Sequence, residues 1–402
     1  MTPHTALENP GAARDADAGR LSLALIAARN LTLAWLAAFE DSAHGALAPL
    51  AGSPPAAWRV GHAAWWIDHW IVRHVHAQRG EHGEAGRPRL APAAPECDRV
   101  FAPLQASHAA AGGLALPAPD VLRAYLADTL EAALELLGRA DGDDDALHFY
   151  RLALLHEDRL GETLAALAQA AGLVDGPWPP APPARAQRPP LWMPAQRFAV
   201  GVTPGGLVLG PERWAHEVAI PEFEIDAQPV SWARLAEFAE DGGYDEPRWW
   251  TRAGWAWAQT VERRAPRDVE QLRHGVVRLV HGRLQRAAAA QPATHLTRHE
   301  AEAWCRWAGR RLPTEPEWEL AACRAASRGF VWGDVLEWVA GRGRPWPGHQ
   351  PVAGEPDPLV PGAAVLRGAS TATPRRSVHP RARRFAADTD DQWPCGFRSC
   401  AV

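Results

Sequence analysis

Two histidines, His62 and His156, stand where a pair of imidazoles could hold a metal ion. If residues 56–76 form a helix, then Trp58, His62, Trp65, His69 and Val72 share one face. On a helix over 144–170, Phe149, Ala153, His156, Leu160 and Leu164 share another. Both faces are the ones that should bury. A buried imidazole needs a partner, because unpaired polar atoms are costly away from water. Side chains of facing helices can converge on one ion, and neutral imidazole ligates iron, copper and zinc. A hydrogen-bonded core histidine satisfies the same pattern, so at this stage both readings stand.

The elements that would position these residues can be read from periodicity. Four stretches carry a helical apolar pattern: about 20–39, 56–76, 119–139 and 144–170. The second follows the breaker Ser53-Pro54-Pro55, and the fourth opens on Asp143-Asp144-Asp145, a suitable helix start. Four amphipathic helices suggest a bundle over 18–172, with 77–118 as a long crossover loop. The proline-rich run over 173–190 cannot form a core element and reads as a stiff linker. Over 191–402 the pattern changes to short alternating segments, such as 197–202 and 217–220, with frequent Gly and Pro. One clear helix is expected at about 297–309. The fold class expected is therefore α+β with two domains, a helical bundle and an irregular, turn-rich domain.

Composition narrows the function. The chain of 402 residues has a net charge of −5, and its 42 basic residues are all Arg. Nothing here resembles an electrostatic footprint for nucleic acid, and no such partner is expected. No apolar run reaches membrane-spanning length and the first twenty residues lack a signal-peptide pattern, so a cytoplasmic protein without a membrane partner is expected. Five scattered cysteines without a CxxC pair fit neither a disulfide framework nor a cysteine zinc site. The 20 Trp against three Tyr could fill cores, or line a pocket for a flat cationic ligand.

The segment Ser53-Pro54-Pro55-Ala56-Ala57-Trp58-Arg59-Val60-Gly61-His62-Ala63-Ala64-Trp65-Trp66 resembles the first ligand motif of the ergothioneine-type sulfoxide synthases. His156-Glu157-Asp158-Arg159-Leu160-Gly161-Glu162 is similar to their second motif, His-x3-His-x-Glu, except that Leu160 replaces the second histidine. These enzymes pair a DinB-like four-helix bundle with a formylglycine-generating-enzyme-like, C-type-lectin-like domain. The second half carries the more specific match. It includes Gly242-Gly243-Tyr244, the run Glu300 to Glu319, Gly333-Asp334-Val335-Leu336-Glu337-Trp338, Leu366-Arg367-Gly368-Ala369-Ser370 and Gly396-Phe397-Arg398. Arg311, Glu315, Glu319, Glu337 and Arg398 are expected to tie such an irregular domain together.

The resemblance implies an oxidoreductase using non-haem Fe(II) and O2 to join sulfur or selenium to the imidazole of hercynine (trimethylhistidine). It implies His62 and His156 as metal ligands. His69, His148, Asp158 and Glu162 are candidates to replace the ligand lost at Leu160. By alignment Arg159, Arg383, Phe385 and Asp390 would line the substrate pocket, and Trp65 would wall it. The ending His379 to Phe385 and Gly396 to Cys400 looks closer to the selenoneine synthases, which favours a selenosugar donor over a thiol. A cysteine-oxidising activity is disfavoured, since 375–385 contains no Cys. Two alternatives remain: a divergent member that binds ligand through an impaired metal site, and a DinB-type thiol transferase.

Overall fold

The structure, a computed structural model, describes residues 8–42, 53–83, 89–110 and 113–402. Its first half is helical. Helix α1 (Ala18–Asp41), α2 (Ala56–Ile67), the short α3 (Pro95–Phe101), α4 (Pro119–Leu137) and α5 (Asp144–Ala170) pack around one core. Asp17 and Asp143 cap α1 and α5 by accepting from backbone amides at 2.8 Å, as the acidic helix starts suggested. By length and composition α1 could cross a membrane. Here its Leu21, Leu25, Trp35 and Leu36 are buried in the bundle. Its buried Arg29 pairs with Glu157 of α5 at 2.9 Å.

The helix expected over 56–76 ends early. After Ile67 it widens into a π-turn, Asp68–Val72, where the Arg73 amide reaches back to the Asp68 carbonyl at 2.9 Å. Asp68 is buried there, facing Arg73 at 3.4 Å and the Tyr125 hydroxyl at 3.5 Å. Residues 73–76 then leave the helical path. A plain 3.6-residue wheel cannot anticipate that extra residue in the turn.

The second half holds thirteen short strands among the described residues, in small sheets. One sheet runs β1 (Leu191–Met193), β4 (Phe223–Ile225), β13 (Cys400–Ala401), β8 (Arg310–Arg311). It closes the unit by pairing Cys400 with Ile225. A second runs β11 (Arg383–Ala386), β10 (Ala364–Gly368), β9 (Leu336–Trp338), β12 (Cys395–Phe397). Strands β2 (Gln196–Val200) and β3 (His216–Ile220) form a pair, and β5 (Val269–Gln271), β6 (Val277–Val280) and β7 (Arg283–Arg286) a three-stranded sheet. Helices α6 (Trp232–Glu240), α7 (Arg252–Thr260), α8 (Arg298–Trp307) and α9 (Glu315–Arg324) pack between them. Both α8 and α9 start with capping boxes, Thr297 with Glu300 and Thr314 with Glu317.

Short strands supply few ladder bonds, and buried ion pairs take their place. Arg398 grips Glu337 at 2.5 and 2.7 Å, and Trp318 donates to the same carboxylate at 2.9 Å. Arg367 meets Glu319 at 2.6 Å and Arg383 meets Glu315 at 2.7 and 2.9 Å, both buried, while the partly exposed Arg311 meets Glu317 at 2.7 and 2.8 Å. Removing one partner of such a buried pair costs about 3–5 kcal/mol, since the other charge is left in a dry site. The proline-rich segment lies along this half, with Arg185 on Asp334 at 2.9 Å and the Pro182 carbonyl accepting from Gln291 at 2.7 Å.

Candidate functional site

His62 and His156 are brought together, with ring centroids 5.7 Å apart and planes tilted by 56°. His62 is sandwiched between Trp58 (5.0 Å, 7°) and Trp65 (5.4 Å, 12°). Helix α3 anchors all three rings. Trp58 donates to the Val100 carbonyl and Trp65 to Asp98, both at 2.9 Å. His62 Nδ1 lies 2.8 Å from the Phe101 carbonyl, an acceptor only, so Nδ1 carries the proton and Nε2 keeps a free lone pair. Gly61 makes this possible, because a Cβ there would overlap the Phe101 ring. His156 stacks on Trp66 at 5.5 Å and has no hydrogen-bond partner among the described residues.

Both rings are neutral at pH 7. Burial pulls His156 down to about 3, with His62 adding to the effect, and burial likewise lowers His62. Two neutral imidazoles with lone pairs available are the protonation state a metal requires. The next helical turn of α5 presents Leu160, which is buried in the bundle core. Among the described residues no group of three or more His, Cys, Asp or Glu gathers to hold an ion. The donor set thus fits a two-imidazole site and is one protein ligand short of three.

The candidate substitutes are engaged elsewhere. His69 leaves the pair at the π-turn, stacks on Trp65 at 4.5 Å and meets Trp70 edge-on at 5.2 Å. His148 lies 3.8 Å from Glu81. Asp158 accepts from Arg376 at 3.1 and 2.5 Å and from Ser377 at 2.5 Å. Glu162 is bound by Arg384 at 2.9 Å and Arg159 at 2.9 Å. These last contacts join α5 to the second half, beside the Arg159–Asp357 pair at 2.7 Å and the Trp66 donation to the Gly354 carbonyl at 3.0 Å.

The residues expected in a substrate pocket are spread out. Trp65 walls His62, and Arg159 sits one helical turn from His156, paired with Asp357 and Glu162. Arg383 is fully committed to Glu315 and to the Pro211 and Arg344 carbonyls. Phe385 packs with that guanidinium 5.3 Å from its ring centre. Asp390 accepts from the Gln392 amide at 3.2 Å in the loop before β12. Trp66 and the Phe101 carbonyl lie outside the site expected from the sequence. The Trp65-Trp66 doublet was a signal for the first, while a backbone carbonyl leaves no residue-type trace.

Comparison with known proteins agrees with this architecture. A family model described as the Sulfatase-modifying factor enzyme 1-like domain matches residues 188–334. The Hercynine oxygenase of Mycolicibacterium smegmatis is 33% identical over 443 residues, covering 93% of this chain and 95% of that one. The chain belongs to the hercynine oxygenase family. A second Hercynine oxygenase, from Mycobacterium tuberculosis, is 29% identical over 382 residues, covering 82% and 87%. The Formylglycine-generating enzyme of Streptomyces coelicolor is 33% identical over 189 residues, 43% of this chain and 59% of its own length. As a member of the hercynine oxygenase family the protein is an oxidoreductase, and its α+β fold joins a helical half to a sulfatase-modifying-factor half.

Proposed function

We propose that this protein uses Fe(II) and O2 to form a C–Se or C–S bond on the imidazole of hercynine, with a selenium donor preferred. The paired, neutral imidazoles of His62 and His156 carry this reading. They would hold the metal through Nε2 of His62 and a ring nitrogen of His156. Bound there, Fe(II) supplies the capacity to activate O2 and leaves open positions for the donor.

The chain's own residues do the rest. Phe101 and the Trp58–Trp65 sandwich fix the His62 tautomer and plane, which is how outer partners tune a ligand. The indole-rich surroundings of the imidazole pair suit a trimethylammonium group. The ion pairs Arg376–Asp158 and Arg384–Glu162 between α5 and the second half are themselves largely buried. Burial makes all three tyrosines weaker acids than an ordinary phenol. Tyr244 is buried and donates to Glu300 at 2.9 Å, and burial pushes Tyr125 and Tyr150 up. A selenium donor is more nucleophilic than a thiol and needs less protonation help, which favours it.

Leu160 supports one second reading, a divergent member that binds ligand with a weakened metal site. Anaerobic loading with iron(II), with metal stoichiometry and O2 uptake measured on hercynine plus each donor, separates the two. Near one iron per chain with hercynine-dependent uptake is expected, and the faster donor names the product. A folded protein that retains no iron and consumes no O2 sinks the proposal and leaves the binding reading.

A further inference from the structure

Between the C-terminal half of α5, the proline-rich segment and the β6–β7 hairpin lies a cavity of about 330 Å³. Arg278 of β6 lines it. One of its terminal nitrogens donates to the Thr294 hydroxyl at 2.6 Å, and the guanidinium rests 5.3 Å from the Trp232 ring centre. Its Nε is buried without a hydrogen-bond partner. Among the described residues no carboxylate forms an ion pair with it. Asp268 is the one acid that acts on it, and its carboxylate accepts from Gln169 at 3.0 Å. Burial pulls Arg278 below the ordinary arginine range. A guanidinium taken from water without a counter-ion is unfavourable. Glu162, at the α5 end of the cavity, is already neutralised by Arg384 and Arg159.

The rest of the wall is built for a ligand. Thr294 accepts from Arg278 and keeps its own proton to donate. His295 is buried, with Nδ1 3.0 Å from the Asp391 carbonyl, so Nε2 is an acceptor. Trp178 and His281 stack at 3.8 Å, giving a flat side. Both His281 (φ 48°) and His295 (φ 60°) adopt left-handed backbone, uncommon outside glycine and a form of strain that clusters at ligand sites.

We propose that this cavity binds a small organic carboxylate, with Arg278 as its counter-ion. Arg offers a planar donor fork that matches a carboxylate. Two sources carry that group: hercynine itself, and a thiol donor such as γ-glutamylcysteine. The choice of sources rests on the proposed function; the site does not. The cavity begins at Glu162, roughly 9 Å along α5 from His156 at 1.5 Å per residue.

Titration calorimetry on the metal-free, full-length protein tests this with hercynine, γ-glutamylcysteine and their amides. One acid is expected to bind about 10- to 100-fold tighter than its amide, the scale of a charge-assisted hydrogen bond. Arg278→Gln should erase that preference and Arg278→Lys keep part of it. Whichever acid shows the preference is the source. No preference in the native protein, or one that survives Arg278→Gln, overturns the proposal. The native comparison decides even if a variant fails to fold. Iron stoichiometry reads the imidazole pair separately, so a chain that prefers the acid yet holds no iron refutes the metal reading alone.

Discussion

His62 of α2 and His156 of α5 face each other across the bundle at 5.7 Å, and the next inward position on α5 is Leu160. Residues four apart on a helix lie on one face, so a histidine at 160 would point where Leu160 does. Leu160→His is expected to tighten divalent-metal binding by about tenfold or more, the scale at which even outer partners of a ligand act. Competition against a metal-binding dye checks it. Unchanged affinity would mean that the pair does not hold the metal.

Gly61 is the least conspicuous residue of the site and one of the most constrained. Its missing side chain admits the Phe101 ring, which brings the Phe101 carbonyl to His62 Nδ1. Gly61→Ala should cost about 1–3 kcal/mol through overpacking, and should weaken metal binding as the His62 tautomer loses its anchor. Denaturant unfolding and the same dye competition read the two effects. A stable variant with full metal affinity would show that Phe101 does not orient the ring.

Much of this arrangement was legible in the chain. The stripe Trp58, His62, Trp65, His69 was drawn from spacing alone and appears as a continuous stack. The tie residues Arg311, Glu315, Glu319, Glu337 and Arg398 stand in the motifs that carry the family resemblance, and a turn-rich domain with short ladders gives such residues a tying role. What could not be read depended on tertiary context. The π-turn buries Asp68 against the Tyr125 hydroxyl of α4, a contact that local spacing does not show. The partners of Asp158 and Glu162 lie in the second half, far along the chain, and nothing in local spacing points to Arg376 or Arg384.

Glu162 joins the two halves in a dry site. Burial alone would raise its carboxyl, but Arg384 and Arg159 outweigh it and hold it at about 2. A depressed carboxyl contributes stability that is present above its unfolded value of 4.5 and is lost as pH falls toward 2. Glu162→Gln leaves Arg384 without its counter-charge, while Arg159 keeps Asp357, and should cost about 3–5 kcal/mol at pH 7. The loss should shrink in acid. Urea titrations at pH 7 and pH 3 test this, and an equal loss at both would rule out the charge as its cause.

Glu355 behaves in the opposite sense. It accepts from the Gly210 and Val352 amides at 2.8 and 3.3 Å, in the loop whose Gly354 carbonyl takes the Trp66 indole proton. Burial pushes it up to about 7, above the 4.5 of an ordinary Glu. Between those two values the folded chain binds more protons than the unfolded one, so this group makes stability fall as pH rises from about 4.5 to 7. Glu355→Gln keeps an acceptor oxygen and removes the charge. The variant should melt higher than the native chain at pH 8 and gain nothing at pH 5, with each kcal/mol recovered worth about 2–4 °C in Tm or less for a chain this long. Because the loop covers Trp66, which stacks on His156, the same pH range should alter Trp66 fluorescence in the native chain and not in the variant. Melting curves that differ by the same amount at both pH values would show that Glu355 does not titrate there.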